Sequence, residues 1–480
     1  MQNRAIFTKG GEFVSFWVKD KSFYQKMAAI AIPLALQNLI NVGVSLLDTV
    51  MLGQLGEVAM SGSSLGNQIG FIYQIMNLGL TAGAGVLTSQ YWGRKDSASI
   101  RKVMSMAYKI SMTLAAIFTV LALMIPDTLM SFYTKEPEVI AVGAEYLRII
   151  AFTYLVSGFT MTSMSILRTV GTVKITLYMY ITSFFVNVFF NYCFIFGNFG
   201  FPRMGIAGAA IATLIARIVE CVIIVVYVFR IDKKICFQVK DLFQKIDGEI
   251  FRIYLRYGAP VLCNEMLWSI GSTMLSVIMG HMGSNFVAAN SICQVVFQCT
   301  SVINQGVGQA AGVMAGNTIG EGKYKRARNQ SLTLFVVSIA FGLLSSLVMF
   351  AIRGPVIDFY KVTEETRVIA YSIMDMMCIL VVFQAISSIN MFGTLRGGGD
   401  SKYVLFFDVT SMWFFSVPLG WLAGLVFDWP VWLVYLCLRS GDIFKSVGCI
   451  FRILSGKWIK DVTRSDEEKK AAQAEEAEQV

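Results

Sequence analysis

Histidine is almost absent from this chain, which has one, His281, and its nine cysteines are scattered with no C-x-x-C pair. That scarcity argues against a zinc site, a disulfide framework and the His-based or H-E-x-x-H constellations of hydrolytic enzymes. Charge is scarce as well. Only 15% of the 480 residues are Asp, Glu, Lys or Arg, against roughly a quarter in soluble domains. What fills the space is apolar: 55% of the residues are hydrophobic, and the mean hydropathy is +0.62. These values exclude a soluble enzyme and describe an integral membrane protein.

Apolar stretches of about 20 residues, the length that crosses a hydrocarbon core of roughly 30 Å, recur along the whole chain. They predict twelve spans, near 27–52, 62–88, 103–125, 140–166, 175–197, 204–230, 255–280, 286–313, 330–352, 367–394, 403–427 and 430–454. Residues 1–26 are mixed polar and charged and lack a cleavable signal pattern, so the first span is expected to serve as its own insertion signal. The net charge of +9 is sorted by side. Lys and Arg gather in the N-terminal tail, around Arg94 and Lys95, in the Arg168/Lys174 turn, in the 231–254 linker, from Lys323 to Arg328, in the Arg396/Lys402 turn and in the C-terminal tail. The alternate loops hold few: Lys135, Arg203, Arg353, Lys361 and Arg367. The positive-inside rule then places both termini in the cytoplasm, and the basic balance reports topology rather than a nucleic-acid partner.

The chain is also written twice. Pro33 answers to Pro260, Ser45 to Ser272, Gly53 to Gly280, Asn77 to Asn304, Gly79 to Gly306 and Gly93 to Gly320, all 227 residues apart. Leu167-Arg168-x-x-Gly171-x-x-Lys174 returns 228 residues later as Leu395-Arg396-x-x-Gly399-x-x-Lys402. The expected organisation is a cytoplasmic tail (1–26), a six-helix lobe (27–230), a charged cytoplasmic linker with a short surface helix (231–254), a second six-helix lobe (255–454) and a tail of solvated helix or disorder (455–480). An even number of crossings per half relates the repeats by an axis along the membrane normal, with a substrate path at their interface. The fold class is therefore an all-α integral membrane protein: twelve transmembrane helices in two pseudo-symmetric six-helix bundles with a central cavity.

An ionisable side chain at the bilayer centre costs about 2.5–3.5 kcal/mol on insertion scales, so each calls for a partner, a water-filled cavity or a proton. Asp48 and Glu265 stand out because neither has a basic residue one helical turn away. Both read as switchable cation sites, with an interhelical hydrogen bond as the plainer alternative. At about 1.5 Å per residue, Asp48 lies some 8 Å from the helix end near Gly53, and Glu265 roughly 16 Å in from Tyr254. They are not repeat mates: Leu275 answers to Asp48, and Asn38 to Glu265. Arg217 and Glu220, three apart, read first as a self-neutralising structural pair. Asp408 reads as topological, within reach of Lys402, and Asp375 as an outer residue with access to water. His281 reads as interfacial.

Gln37, Asn38, Asn187, Asn191 and Asn264 are more polar than lipid-facing positions tolerate. Asn187 and Asn191 share a helix face, as do Gln37 and Asn41. Cavity lining and interhelical hydrogen bonding are equally served by such residues. The 25 methionines and 36 phenylalanines suit a pocket that repacks around differently shaped organic cations, although they also serve ordinary packing against lipid.

In this order the residues resemble a known family. Ile32-Pro33-Leu34-Ala35-Leu36-Gln37-Asn38 followed by Asp48-Thr49-Val50-Met51-Leu52-Gly53 is similar to the first helix of the multidrug and toxic compound extrusion (MATE) family. Gly258-Ala259-Pro260 with Glu265 resembles its seventh helix. Asn187-x-x-x-Asn191-Tyr192 and Gly205-x-Ala207-Gly208-Ala209-Ala210-x-Ala212-Thr213 resemble its fifth and sixth, and the likeness covers residues 25–455. The resemblance, strongest to the NorM-like branch, implies a polyspecific antiporter whose two lobes rock about a central cavity, exporting organic cations in exchange for H⁺ or Na⁺, with Asp48 and Glu265 as coupling acids and Na⁺ at Glu265 as one option. Two departures accompany it. Gln384 to Ser388 carries no acid where some NorM-like members have one, and Asn191 stands where the DinF-like branch has Asp. No cofactor beyond the coupling ion is expected. The expected setting is a bacterial-type plasma membrane, with the lipid bilayer and small organic cations as partners of a monomeric chain. A lipid-linked saccharide flippase of the same superfamily and a major-facilitator transporter are the alternatives; the first calls for a basic cavity, and little beyond Arg217 is found in the spans.

Overall fold

The computed structural model describes residues 17–360, 362–427, 429–464, 467–469 and 471, together with the backbone at 6–7 and 13–14. Lys361 and nearly all of the chain beyond 464 lie outside the described residues, and so does most of the expected tail, of which 467–469 are helical. Helix dominates because backbone N–H and C=O groups find no water in hydrocarbon and must bond within their own segment. Eleven described helices are long and apolar enough to cross a membrane: Lys21–Gly53, Glu57–Gly93, Ser97–Met124, Pro137–Thr169, Lys174–Phe196, Gly205–Ile231, Gly248–His281, Ser284–Gly320, Tyr324–Phe359, Glu364–Leu395 and Ser401–Val426. Several outrun the predicted spans by a turn or more, because polar and basic residues at the ends continue the helix beyond the apolar stretch. The first starts at Lys21, inside the expected tail, and the seventh at Gly248, inside the expected linker. The linker's surface helix is a single turn, Val239–Leu242. Residues 6–7 and 13–14 form a two-residue antiparallel strand pair.

The stretch expected as the twelfth span is broken and, among the described residues, yields no single helix long enough to cross a membrane. Val431–Leu438 and Ser440–Ser455 are separate helices, hinged at Arg439, whose backbone (φ −107, ψ 8) leaves the helical region. Gly441 then packs so closely that a methyl group there would come within 2.8 Å of the Ser411 carbonyl oxygen. The tenth and eleventh spans carry wide π-helical turns at Ser387–Leu395, Ser411–Ser416 and Leu422–Val426, a geometry that often marks functional positions.

Local ends follow capping chemistry. Asp96 accepts from the Ser99 backbone N–H at 3.0 Å and starts the third span, and Gly197, at φ +75, closes the fifth in the left-handed conformation.

The residues pack as two compact units. The first is Leu36–Thr88 with Asp96–Leu262; the second is Met1–Ala35, Ser89–Lys95 and Cys263–Val480. This partition is not the same as that of the repeat, because parts of the first, second and seventh spans pack with the opposite half of the sequence. The repeat mates Gly79 and Gly306 make those packings close. A methyl group at Gly79 would come within 2.7 Å of Leu262 Cα, inside the first unit, and one at Gly306 within 2.7 Å of the Ala31 carbonyl oxygen, inside the second. Close backbone approach is how helices associate where lipid supplies no hydrophobic drive.

Candidate functional site

In the first unit, the fifth and sixth spans turn a polar face toward the last turns of the first. Asn187 and Asn191, one turn apart, are both buried. Asn191 Nδ2 donates to Asp48 Oδ1 at 2.6 Å and to Asn187 Oδ1 at 3.1 Å, and Asn187 Nδ2 approaches Thr213 Oγ1 at 3.5 Å. One turn beyond Thr213, Arg217 Nη1 lies 2.9 Å from both carboxylate oxygens of Glu220. Ser183 Oγ donates to Glu220 Oε1 at 2.6 Å. Asp48 is half-buried, and its hydrogen-bond partner is a neutral amide. The guanidinium that acts on it electrostatically, Arg217, is engaged by Glu220. With all three ionised, Asp48, Arg217 and Glu220 sum to one uncompensated negative charge.

Arg217 and Glu220 are thus the self-neutralising pair that their spacing predicts, and they also belong to the surroundings of Asp48. The other candidates sort differently. Gln37 is buried and donates to Thr176 Oγ1 at 2.7 Å and to the Val173 carbonyl at 3.4 Å, the geometry of an interhelical tie. Asn38 keeps its Nδ2 without a hydrogen-bond partner. Asn264, in the second unit, is buried with an unpartnered Oδ1.

Glu265 is in the second unit too, midway along its helix. Its Oε1 receives Arg396 Nη1 at 2.9 Å, both side chains being mostly buried. The partner comes from the repeated Leu-Arg-x-x-Gly turn, across helices, as a residue without a local cation requires. Arg396 Nε and Nη2 have no hydrogen-bond partner, and its guanidinium lies 5.0 Å over the Phe392 ring.

Two sequence expectations are corrected here. Asp408 is not a topological residue tied to Lys402: it is 2% exposed and lies 3.3 Å from Lys445 Nζ of the twelfth span. The break at Arg439 sets Asp442 and Lys445 on the inner face of the following helix, where Lys445 Nζ also meets Asp442 Oδ1 at 3.0 Å. Basic residues in the spans are likewise more numerous than Arg217 alone, since Arg396, Arg439 and Lys445 are all largely buried there. A sequence signal for Lys445 existed. At the 228-residue offset it answers to Arg217, as Cys449 answers to Cys221 and Ser411 to Ser183. Asp375, by contrast, is well exposed and pairs with Arg353, in keeping with an outer position.

A family model described as MatE matches residues 33–193 and 260–422, two blocks that begin at the repeat mates Pro33 and Pro260. Among curated relatives, a protein named probable multidrug resistance protein NorM from Agrobacterium fabrum is 25% identical over 408 residues, covering 83% of this chain and 87% of its own length. One of the same name from Thermotoga maritima is 24% identical, covering 91% and 93%. Among solved structures, an outward-facing multidrug resistance MATE family transporter of the MOP superfamily superposes with a TM-score of 0.82 at 17% identity, covering 94% of this chain and 97% of that one. At these identities the superposition speaks for the fold.

Proposed function

Because the chain belongs to the MatE family and is a multi-pass membrane protein, we propose that it exports amphipathic organic cations in exchange for an inward monovalent cation, H⁺ or Na⁺, that binds at Asp48. One observation carries the coupling: Asp48 is held by the neutral amide of Asn191 at 2.6 Å, while the Arg217 guanidinium of the sixth span is engaged by Glu220. One bound cation brings that group to neutrality, and its loss restores a negative charge in a poorly solvated place. A charge change of that kind biases a two-state transporter whenever the two states solvate the site differently. The membrane potential supplies about 2.3 kcal/mol per charge per 100 mV. The relatives named probable multidrug resistance protein NorM support drugs as the substrate class. The sidedness of the basic residues supports cytoplasmic termini.

Glu265 takes a different role in this reading. Its carboxylate already carries Arg396, so Na⁺ would have to displace a guanidinium. We therefore assign it the fixing of the Leu-Arg-x-x-Gly turn and give coupling to Asp48. The flippase alternative gains little, since Arg396 and Lys445 are each committed to a carboxylate of their own unit.

The test is ethidium uptake by proteoliposomes under imposed pH and Na⁺ gradients. The expected result is stimulation by at least one gradient, abolished by Asp48→Asn and retained in Glu265→Gln. Uptake indifferent to both gradients would sink the antiport reading, and full stimulation in Asp48→Asn would remove Asp48 from it.

A further inference from the structure

The second unit contains a counterpart of the Asp48 network that is closed by the chain itself. Lys445 answers to Arg217 in the repeat, and Asp408 answers to Tyr180. At this pair of positions the first unit has a phenol, whereas the second has a carboxylate facing Lys445. The ammonium sits 3.3 Å from Asp408 Oδ1 and 3.0 Å from Asp442 Oδ1. Beside it is a small cavity of about 30 Å³, lined by Ser411, Ser416, Arg439, Asp442 and Lys445 together with apolar side chains that include Trp268. That volume exceeds the roughly 10–15 Å³ that a single buried water needs.

The ammonium meets Asp408 Oδ1 as an ion pair only, that oxygen having no hydrogen-bond partner, and two serines lie beside the cavity. Ser411 Oγ donates to the Asp408 carbonyl at 2.7 Å, and Ser416 Oγ accepts the Gly441 N–H at 3.0 Å. The Phe392 ring lies 5.9 Å from Lys445 Nζ, and Arg439 and Asp442 both line the cavity. Asp408, Asp442, Arg439 and Lys445 sum to zero, whereas the group at Asp48 sums to minus one. Two carboxylates beside a small cavity are the components of a monovalent-cation site, and here a side chain supplies the cation.

We propose that Lys445 is a tethered substitute for an exchangeable cation, its ammonium permanently filling a monovalent-cation site built from Asp408 and Asp442. The π-helical turn at Ser411–Ser416 and the break at Arg439 shape this site. They bring Ser411 and Ser416 against Gly441 and direct Lys445 inward. A unit so neutralised cannot respond to an ion gradient. That consequence for coupling rests on the reading of Asp48 given above, but the site itself does not.

The experiment measures ion binding on the purified full-length protein, so that its failure is separable from a failure of the transport reading. Thermal melting is recorded in Na⁺, Li⁺, K⁺ and N-methyl-D-glucamine chlorides at equal ionic strength, with the protein carrying Asp48→Asn so that the first unit contributes no ion response. The Lys445 parent should melt at one temperature in all four salts. Lys445→Ala, which leaves two carboxylates around a cavity, should melt several degrees higher in at least one small cation than in N-methyl-D-glucamine, and adding Asp442→Asn should erase the difference. Lys445→Arg, which keeps the charge, should stay unresponsive. If Lys445→Ala is folded only in a small cation, that is the same result in stronger form. Equal behaviour of Lys445→Ala in all four salts, folded or unfolded, overturns the proposal, as does a small-cation response already present with Lys445 in place and lost with Asp442→Asn.

Discussion

Asn191 Nδ2 reaches Asp48 Oδ1 at 2.6 Å across two helices whose residues are 143 apart in sequence. A hydrogen bond to an ionised group contributes about 1.5–3 kcal/mol, against about 0.5–1.5 for a neutral pair, so the bond predicts a specific non-additivity. Asn191→Leu should lower the stability of the parent by about 1.5–3 kcal/mol and that of an Asp48→Asn background by about 1 kcal/mol or less. Chemical denaturation of the four proteins of the double-mutant cycle measures the difference. Equal losses in both backgrounds would show that Asp48 is not held there as a charge.

Glu220→Ala leaves the Arg217 guanidinium without its carboxylate; breaking a fully buried pair from one side costs about 3–5 kcal/mol, and with Arg217 32% exposed the loss should fall below that range. Replacing both residues by apolar ones, Arg217→Met with Glu220→Leu, should return most of that stability, because no unpaired charge remains. The net charge around Asp48 is unchanged by removing a neutral pair, so gradient-driven efflux by the double variant should persist. Loss of coupling in a well-folded double variant would assign the pair a direct part in it.

Glycine positions separate close packing from open space. A methyl group at Gly393 would collide with the Gly308 carbonyl oxygen, whereas one at Gly280 would meet nothing within 4 Å. Gly393→Ala should destabilise by about 1–3 kcal/mol through overpacking, and Gly280→Ala should be neutral or stabilising by up to about 1 kcal/mol. The melting temperatures of the two variants, read in parallel, test this ordering.

Beyond the last span, Asp461 organises the segment that follows. Burial pushes its carboxyl up, but the Thr463 backbone N–H, the Arg464 guanidinium and the Tyr324 and Thr463 hydroxyls outweigh burial and hold it below its ordinary 3.8. A depressed native value means that the contribution is present above the unfolded value and is lost as pH falls through the native one. Amide exchange at Thr463 and Arg464 should therefore be slowed equally across neutral and mildly acidic pH, with protection lost only below about pH 4. Asp461→Asn should weaken that protection at neutral pH. A wild-type loss already at pH 6 would point to another group.

Periodicity and composition were enough for eleven of the spans and for the repeat, because lipid imposes one rule on every crossing segment and each obeys it locally. Asp48 and Glu265 were legible for the same reason: an acid without a neighbour on its own helix is anomalous in hydrocarbon. Their partners were not. Asn191 and Arg396 belong to other helices, and sequence spacing says nothing about which faces meet. Sequence proximity points Asp408 to Lys402, while Lys445 is near in space only after the chain breaks at Arg439. The repeat points to Lys445, but a lysine that late in an apolar stretch looks like an interfacial anchor.

What the sequence determined by itself is the class of molecule: an apolar, twice-written helical chain with few, isolated intramembrane charges, similar throughout to one family. Which of those charges remain open was decided only by the tertiary structure. Ionisable side chains in a low-dielectric interior are compensated by whatever charge lies within a few ångströms, and that distance is set by helix packing, π-turns and one broken span. Asp48 finds a neutral amide and Glu265 a guanidinium, so two acids that look alike in sequence have unequal capacity to take up a cation.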